Sequence, residues 1–134
     1  MKTFLEISGD KLVVKNILKG LSIQNHALVW QKGDPMYRGS GKIHKQSGIR
    51  INICSKSTFN QQLIEAGKYL KKYKNEIVKL RSNPTVEMAI LRFGVNLFEA
   101  KDISKFSFLP NEFMLLCGQL RIDVLLCEYL TSKK

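Results

Sequence analysis

The stretch GIRINICSKSTFNQQLIEAGKYLKKYKNEIVKL, residues 48–80, changes its apolar period part-way, and that change decides the fold. Ile49, Ile51 and Ile53 alternate with Arg50, Asn52 and Cys54, the two-residue period of a strand with one face on a core. Phe59, Leu63, Ala66, Leu70, Tyr73, Ile77 and Leu80 then recur every three or four positions, which a helix gathers into one stripe. Thr58 with Gln61 has the form of a capping box at the start of that helix. Lys68, Lys71, Lys72 and Lys79 fall off the stripe and face solvent. Asn75 marks a break in the helix, since Lys72–Asn75 is locally polar, and Pro84 ends the element. A one-sided strand followed by a one-sided helix buries both apolar sides most simply as a sheet with helices on one face.

The flanking sequence extends the pattern. Phe4–Ser8 reads as a first strand, closed by Gly9-Asp10. Asp10 is placed to cap a helix over residues 11–19, with Val13, Val14, Ile17, Leu18 and Leu21 on its apolar face and Gly20 beyond its end. Ala27–Trp30 is a short strand, and Gln31–Ser47, rich in Gly and without a helical period, is a long loop. Val86–Val95 reads as a strand covered on both faces, and Ser104–Leu109 as a shorter strand. Glu112–Cys117 reads as a helix stopped by Gly118, and Leu120–Cys127 as a last strand. The predicted fold class is α+β: a mainly antiparallel sheet with helices on one face, a ferredoxin-like β-α-β-β-α-β core, and a C-terminal β-α-β extension. Residues 1–134 make one domain, long enough to bury a core without staples.

Charge is spread unevenly along the chain. Residues 11–81 hold fifteen Lys or Arg against three acids, whereas residues 82–132 hold four against six. A basic region of this kind points to an acidic partner. Cys54, Cys117 and Cys127 form no Cys-x-x-Cys pair, so reduced thiols are expected, with Cys117 and Cys127 as small core residues. No apolar run approaches the roughly 20 residues of a membrane span. Glu6 and Asp10 interrupt the place where a signal peptide needs an unbroken apolar stretch. A cytoplasmic protein without membrane contact is expected.

Within the long loop, YRGSGKIHK, residues 37–45, carries the Gly-Ser-Gly-Lys that ends many phosphate-binding loops. The Walker pattern fails, because Met36 stands where its first Gly belongs and Ile43 where its magnesium-binding hydroxyl belongs. A dinucleotide fingerprint fails at His44. What remains is a basic loop suited to gripping an anion or an acidic surface. The candidate binding residues are Lys32, Arg38, Lys42, His44, Lys45 and Arg50, joined by Lys68 and Lys72 of the long helix. Asp34, in Lys-Gly-Asp-Pro, suits a turn. The spacing of His26, His44 and Cys54 matches no metal cage, so neither metal nor cofactor is expected. Cys54 with His44 is the best-placed pair for thiol chemistry, but nothing in the sequence marks an activated thiol, and no catalytic residue is assigned.

Phe4-Leu5-Glu6-Ile7-Ser8-Gly9, Trp30-Gln31-Lys32-Gly33-Asp34 before a loop, the long helix after a strand near residue 50, and Leu120-Arg121-Ile122-Asp123-Val124 resemble, in this order, a bacterial family known as domain of unknown function 4279. The resemblance spans nearly the whole chain. Similar members often carry a Trp on the strand after the loop, where this chain reads Gly48-Ile49-Arg50-Ile51-Asn52-Ile53. The resemblance implies an α+β bacterial domain without established catalytic residues. The association of some members with toxin systems implies a binding protein of the immunity type. The expectation is a non-catalytic module that recognises an acidic protein surface. The alternative is non-specific nucleic-acid binding through the basic region 31–81.

Overall fold

The computed structural model describes residues 2–37, 39–56, 58–95 and 108–128. In chain order they form strand β1 (Lys2–Gly9), helix α1 (Val14–Leu18), a 3-10 turn (Ser22–His26), strands β2 (Ala27–Trp30) and β3 (Ser47–Ser55), helices α2 (Phe59–Lys72) and α3 (Lys74–Ser82), strand β4 (Met88–Val95), helix α4 (Asn111–Gln119) and strand β5 (Asp123–Glu128). The strands form one sheet in the order β2-β3-β1-β4-β5. Every neighbouring pair is antiparallel except β4 with β5, which run parallel. The class is therefore α+β, with a mostly antiparallel sheet.

The core lies on one face of this sheet. Leu5 and Ile7 of β1, Ile49 and Ile51 of β3, and Leu91 and Phe93 of β4 are fully buried against Leu63, Ala66 and Leu70 of α2 and Ile77 and Leu80 of α3. The stripe predicted for the long helix is thus the packed one. The helix breaks at Tyr73, within the polar run but two residues before Asn75, which lies inside α3, and it ends before Pro84. Thr58 Oγ1 accepts the Gln61 backbone N–H at 3.2 Å, the Thr half of the expected capping box. Gln62 is buried in the same core. Its amide donates to the Gly94 carbonyl at 2.9 Å and accepts from the Thr3 hydroxyl at 3.2 Å, so α2 is tied to β4 and β1 by polar bonds as well as packing.

Three expectations change. The first helix is only Val14–Leu18, its N-cap is Val13 without a side-chain bond, and Asp10 pairs instead with Lys32. An ion pair across 22 residues has displaced a local cap, and Val13 faces solvent. Strand β4 alternates, with Ala89, Leu91 and Phe93 buried and Met88 exposed, because the helices cover only one face. Cys127 is half-buried on the edge strand β5, whereas Cys117 is buried. Most of the expected strand Ser104–Leu109 lies outside the described residues, and Phe108 and Leu109 belong to no strand. No helix among the described residues is long and apolar enough to cross a membrane.

Candidate functional site

The segment between β2 and β3 is folded upon itself. Asp34 Oδ2 accepts the Gln31 N–H at 2.9 Å while the Asp34 N–H returns to the Gln31 carbonyl at 3.0 Å, the turn role expected for this Asp. Beyond that turn the chain forms a small hairpin. Gly33 donates to His44 at 2.8 Å, His44 to Asp34 at 2.8 Å, and Met36 to Lys42 at 3.0 Å. Gly33, Gly39 and Gly41 all have positive φ, which allows the turns at its base and tip. The glycines that read as a loop are the ones that let the backbone pair with itself. At the base, Lys32 Nζ binds Asp10 Oδ1 at 2.6 Å, and this partner holds the Asp10 carboxyl below its ordinary pKa.

Trp30, the only tryptophan, fixes the hairpin to the sheet. Its indole N–H donates to the Gln46 carbonyl at 3.0 Å. The ring lies over Gly48, its register partner on β3, where a Cβ would come within 2.5 Å of Trp30 Cζ2. The strand after the loop needs a glycine because the aromatic ring arrives from the neighbouring strand. His44 stacks on the same indole, with ring centroids 4.7 Å apart and planes at 20°. A cleft of about 540 Å³ opens beside this stack, bounded by Asp10, Met36, Ile43 and Lys45.

The row continues across the face of the sheet opposite the core. The Arg50 guanidinium lies 6.0 Å from the Trp30 ring centroid and 5.0 Å from that of Phe4, within cation–π range. Glu6, opposite Arg50 on β1, takes Arg50 Nη2 at 2.7 Å and Nε at 2.9 Å. Arg92 of β4 brings its Nε to 3.3 Å from the other Glu6 oxygen. That nitrogen is buried and lacks hydrogen-bond geometry, so this contact is a looser Coulombic one.

A second pocket, of about 280 Å³, lies on the helix side where β3 outruns β2. His26 Nε2 and the Tyr69 hydroxyl are 2.7 Å apart, Tyr69 and Tyr73 rings pack at 4.6 Å, and Lys72 Nζ sits 5.2 Å over the Tyr73 ring. Burial first, then Tyr73 and Glu76 nearby, push the Tyr69 phenol pKa upward.

The predicted residues therefore divide. Lys32, Lys42, His44, Lys45 and Arg50 gather around the hairpin and the adjoining sheet face. Lys68 and Lys72 border the second pocket instead. Arg38 lies outside the described residues. Lys32 and Arg50 are partnered by acids of the first ten residues, and Lys68 loosely by Glu65 at 3.7 Å. Among the described residues, Lys42, Lys45 and Lys72 have no ion-pair partner. His44 and Cys54 are not brought together. His44 stacks beside Gly48, and the six strand residues from there to Cys54 span about 20 Å.

Sequence reasoning missed the Trp30–His44 stack, the Glu6–Arg92 contact and the His26–Tyr69–Tyr73 cluster. One signal was present: Tyr69, Tyr73 and Glu76 share a flank of the helical pattern with Glu65, Lys68 and Lys72. No protein family, curated protein or solved structure matches the chain.

Proposed function

We propose that this chain is a non-catalytic binding module of the toxin-neutralising kind, which recognises an acidic surface on a partner protein. The observation that carries this reading is the folded hairpin, which presents unpaired Lys42 and Lys45 beside exposed Met36, Tyr37 and Ile43. A surface that mixes apolar side chains with unpaired cations suits a protein face better than a bare phosphate chain. The resemblance to the domain of unknown function 4279 family supports the same reading. Three free cysteines agree with action in a reducing cytoplasm. An acidic target argues against inhibition of a nuclease, whose active face is usually basic. The antiparallel order β4-β1-β3-β2 supports describing the first four strands as a ferredoxin-like split unit, with β5 added beside β4.

One observation favours a second reading, non-specific nucleic-acid binding. His44, Trp30, Arg50 and Phe4 make a row of rings and a guanidinium on the sheet face away from the core, a surface on which bases stack. Capture of partners from the native host at low and high salt separates the two. The first reading expects a protein retained at low salt, weakened at high salt, and lost to the Lys42→Glu/Lys45→Glu variant. Absence of any protein partner under both conditions counts against it. Labelled RNA or DNA that shows no shift at low salt eliminates the second.

A further inference from the structure

Among the described residues β2 is the last strand on its side of the sheet, and both of its middle side chains are open: Leu28 is 61% exposed and Val29 52%. Register sets them on opposite faces. Val29 stands opposite Ile49 and so on the helix side, whereas Leu28 stands opposite Arg50 on the other side. An edge strand with an apolar side chain bare on each face lacks the charges that usually protect such edges. Cations stand at both of its ends. Unpaired Lys42 and Lys45 belong to the hairpin after Trp30. Lys72, and Lys68 with Glu65 loosely paired to it at 3.7 Å, border the 280 Å³ pocket before Ala27, where His26 also lies.

We propose that the open edge of β2 is where an extended acidic segment of the partner docks, adding as a further strand and placing a carboxylate in the pocket bounded by His26, Lys68 and Lys72. The proposal rests on the acidic-partner reading and specifies its mode. A strand laid about 4.8 Å outside β2 has its backbone groups met by the unused ones of the edge. Its side chains alternate between the two faces. Those on the helix side come over Val29 and toward the flank of α2 that carries Lys68 and Lys72. Tyr69 and His26, hydrogen-bonded to each other, leave one further donor toward that pocket, the Tyr69 hydroxyl or the His26 ring N–H according to tautomer. A second copy of this chain is a poor occupant, because each copy carries a net charge of +11 and the same cations at the same edge.

The test uses a short fluorescent peptide of alternating Glu and Val, followed by anisotropy at low salt, with two control peptides. One carries N-methyl groups on alternate backbone nitrogens, and the other is an all-Glu peptide of equal charge. The expected result is binding of the first peptide, with at least about tenfold loss on N-methylation, since N-methylation deletes ladder hydrogen bonds. Leu28→Glu and Lys68→Glu/Lys72→Glu, all at solvent-facing positions, weaken it comparably. Equal binding of the N-methylated or all-Glu peptide overturns strand addition and leaves the acidic-partner reading standing. No binding of any peptide, with host-partner capture still lost in Lys42→Glu/Lys45→Glu, does the same. Loss of that capture effect as well removes the reading itself. A dimer in solution that Leu28→Glu dissolves assigns the edge to self-pairing and overturns the proposal.

Discussion

Arg121 has φ 57°, the left-handed region, and is the only described residue other than glycine to adopt a positive φ. It sits just past α4, where the Ile122 N–H reaches the Cys117 carbonyl at 2.9 Å and the Arg121 N–H reaches that of Gly118 at 3.1 Å. This is a Schellman ending with arginine where glycine is usual. Gly118, which reads as the stop in the sequence, lies inside the helix. Arg121→Gly is expected to stabilise the fold by about 1 kcal/mol, because a side chain in this region costs roughly that much. The bond from Arg81 Nε to the residue 121 carbonyl is to backbone and is retained. An unchanged or lower urea midpoint refutes the prediction. A turn earlier, burial pushes the Cys117 thiol up to about 11. The unfolded thiol ionises near pH 8.5 while the folded one stays protonated, so the stability it lends is whole below that pH and lost as the pH climbs toward 11. The Tyr69 phenol, also raised, extends the decline to higher pH. In Cys117→Ala the urea midpoint is lower overall but falls less steeply between pH 9 and 11. An unchanged slope shows that the thiol does not contribute.

Among elements, what was legible follows from how the bonds are made. The break in the long helix and its buried stripe could be read because helical contacts repeat at a fixed period within one segment. The hairpin between β2 and β3 could not, because its pairing is between backbone groups of Gly33, Asp34, Met36, Lys42 and His44, whose side chains show no alternation. The site shows the same division. Lys32 and Arg50 were visible as cations, but their neutralisation by Asp10 and Glu6 depends on strands brought together across 22 and 44 residues. Gly48 is the point where the hairpin is held. A Cβ there meets the Trp30 ring at 2.5 Å and the Ile7 carbonyl at 2.8 Å, and that carbonyl belongs to the central strand and cannot give way. In Gly48→Ala the indole is displaced and β3 must also ease away from the Ile7 carbonyl, at a cost of about 1–3 kcal/mol from overpacking. Trp30 is the only tryptophan, so its emission reports the hairpin directly. The expected outcome is a red-shifted emission and lost quenching by His44, with the helices intact by far-ultraviolet dichroism. Emission identical to that of the parent protein refutes this account of the hairpin's anchor.

At the scale of the whole molecule, the balance of charge is unfavourable to the chain alone. The net charge is +11, and among the described residues ion pairs involve only Lys32, Arg50, Lys68 and Arg92 on the basic side. Lys71, Lys72 and Lys74 follow one another across the junction of α2 and α3, all exposed and without acid partners. Self-repulsion of this kind opposes the compact state and is screened by salt, since the Debye length falls from about 30 Å at 0.01 M to about 8 Å at physiological ionic strength. Sodium chloride raised over that range is expected to increase stability by on the order of 1 kcal/mol, a few degrees in Tm. Lys71→Glu/Lys74→Glu, at solvent-facing positions, should raise the low-salt Tm and flatten its dependence on salt. The same repulsion links stability to the proposed binding. An acidic partner neutralises charges that the chain leaves unpaired, so the stabilisation it confers must shrink as salt rises, while salt alone makes the free protein more stable. Opposite slopes in the two titrations are the signature of one cause. A free-protein Tm that is flat or falls with salt means that the cations do not strain the fold, and relief of repulsion then plays no part in drawing an acidic partner to it.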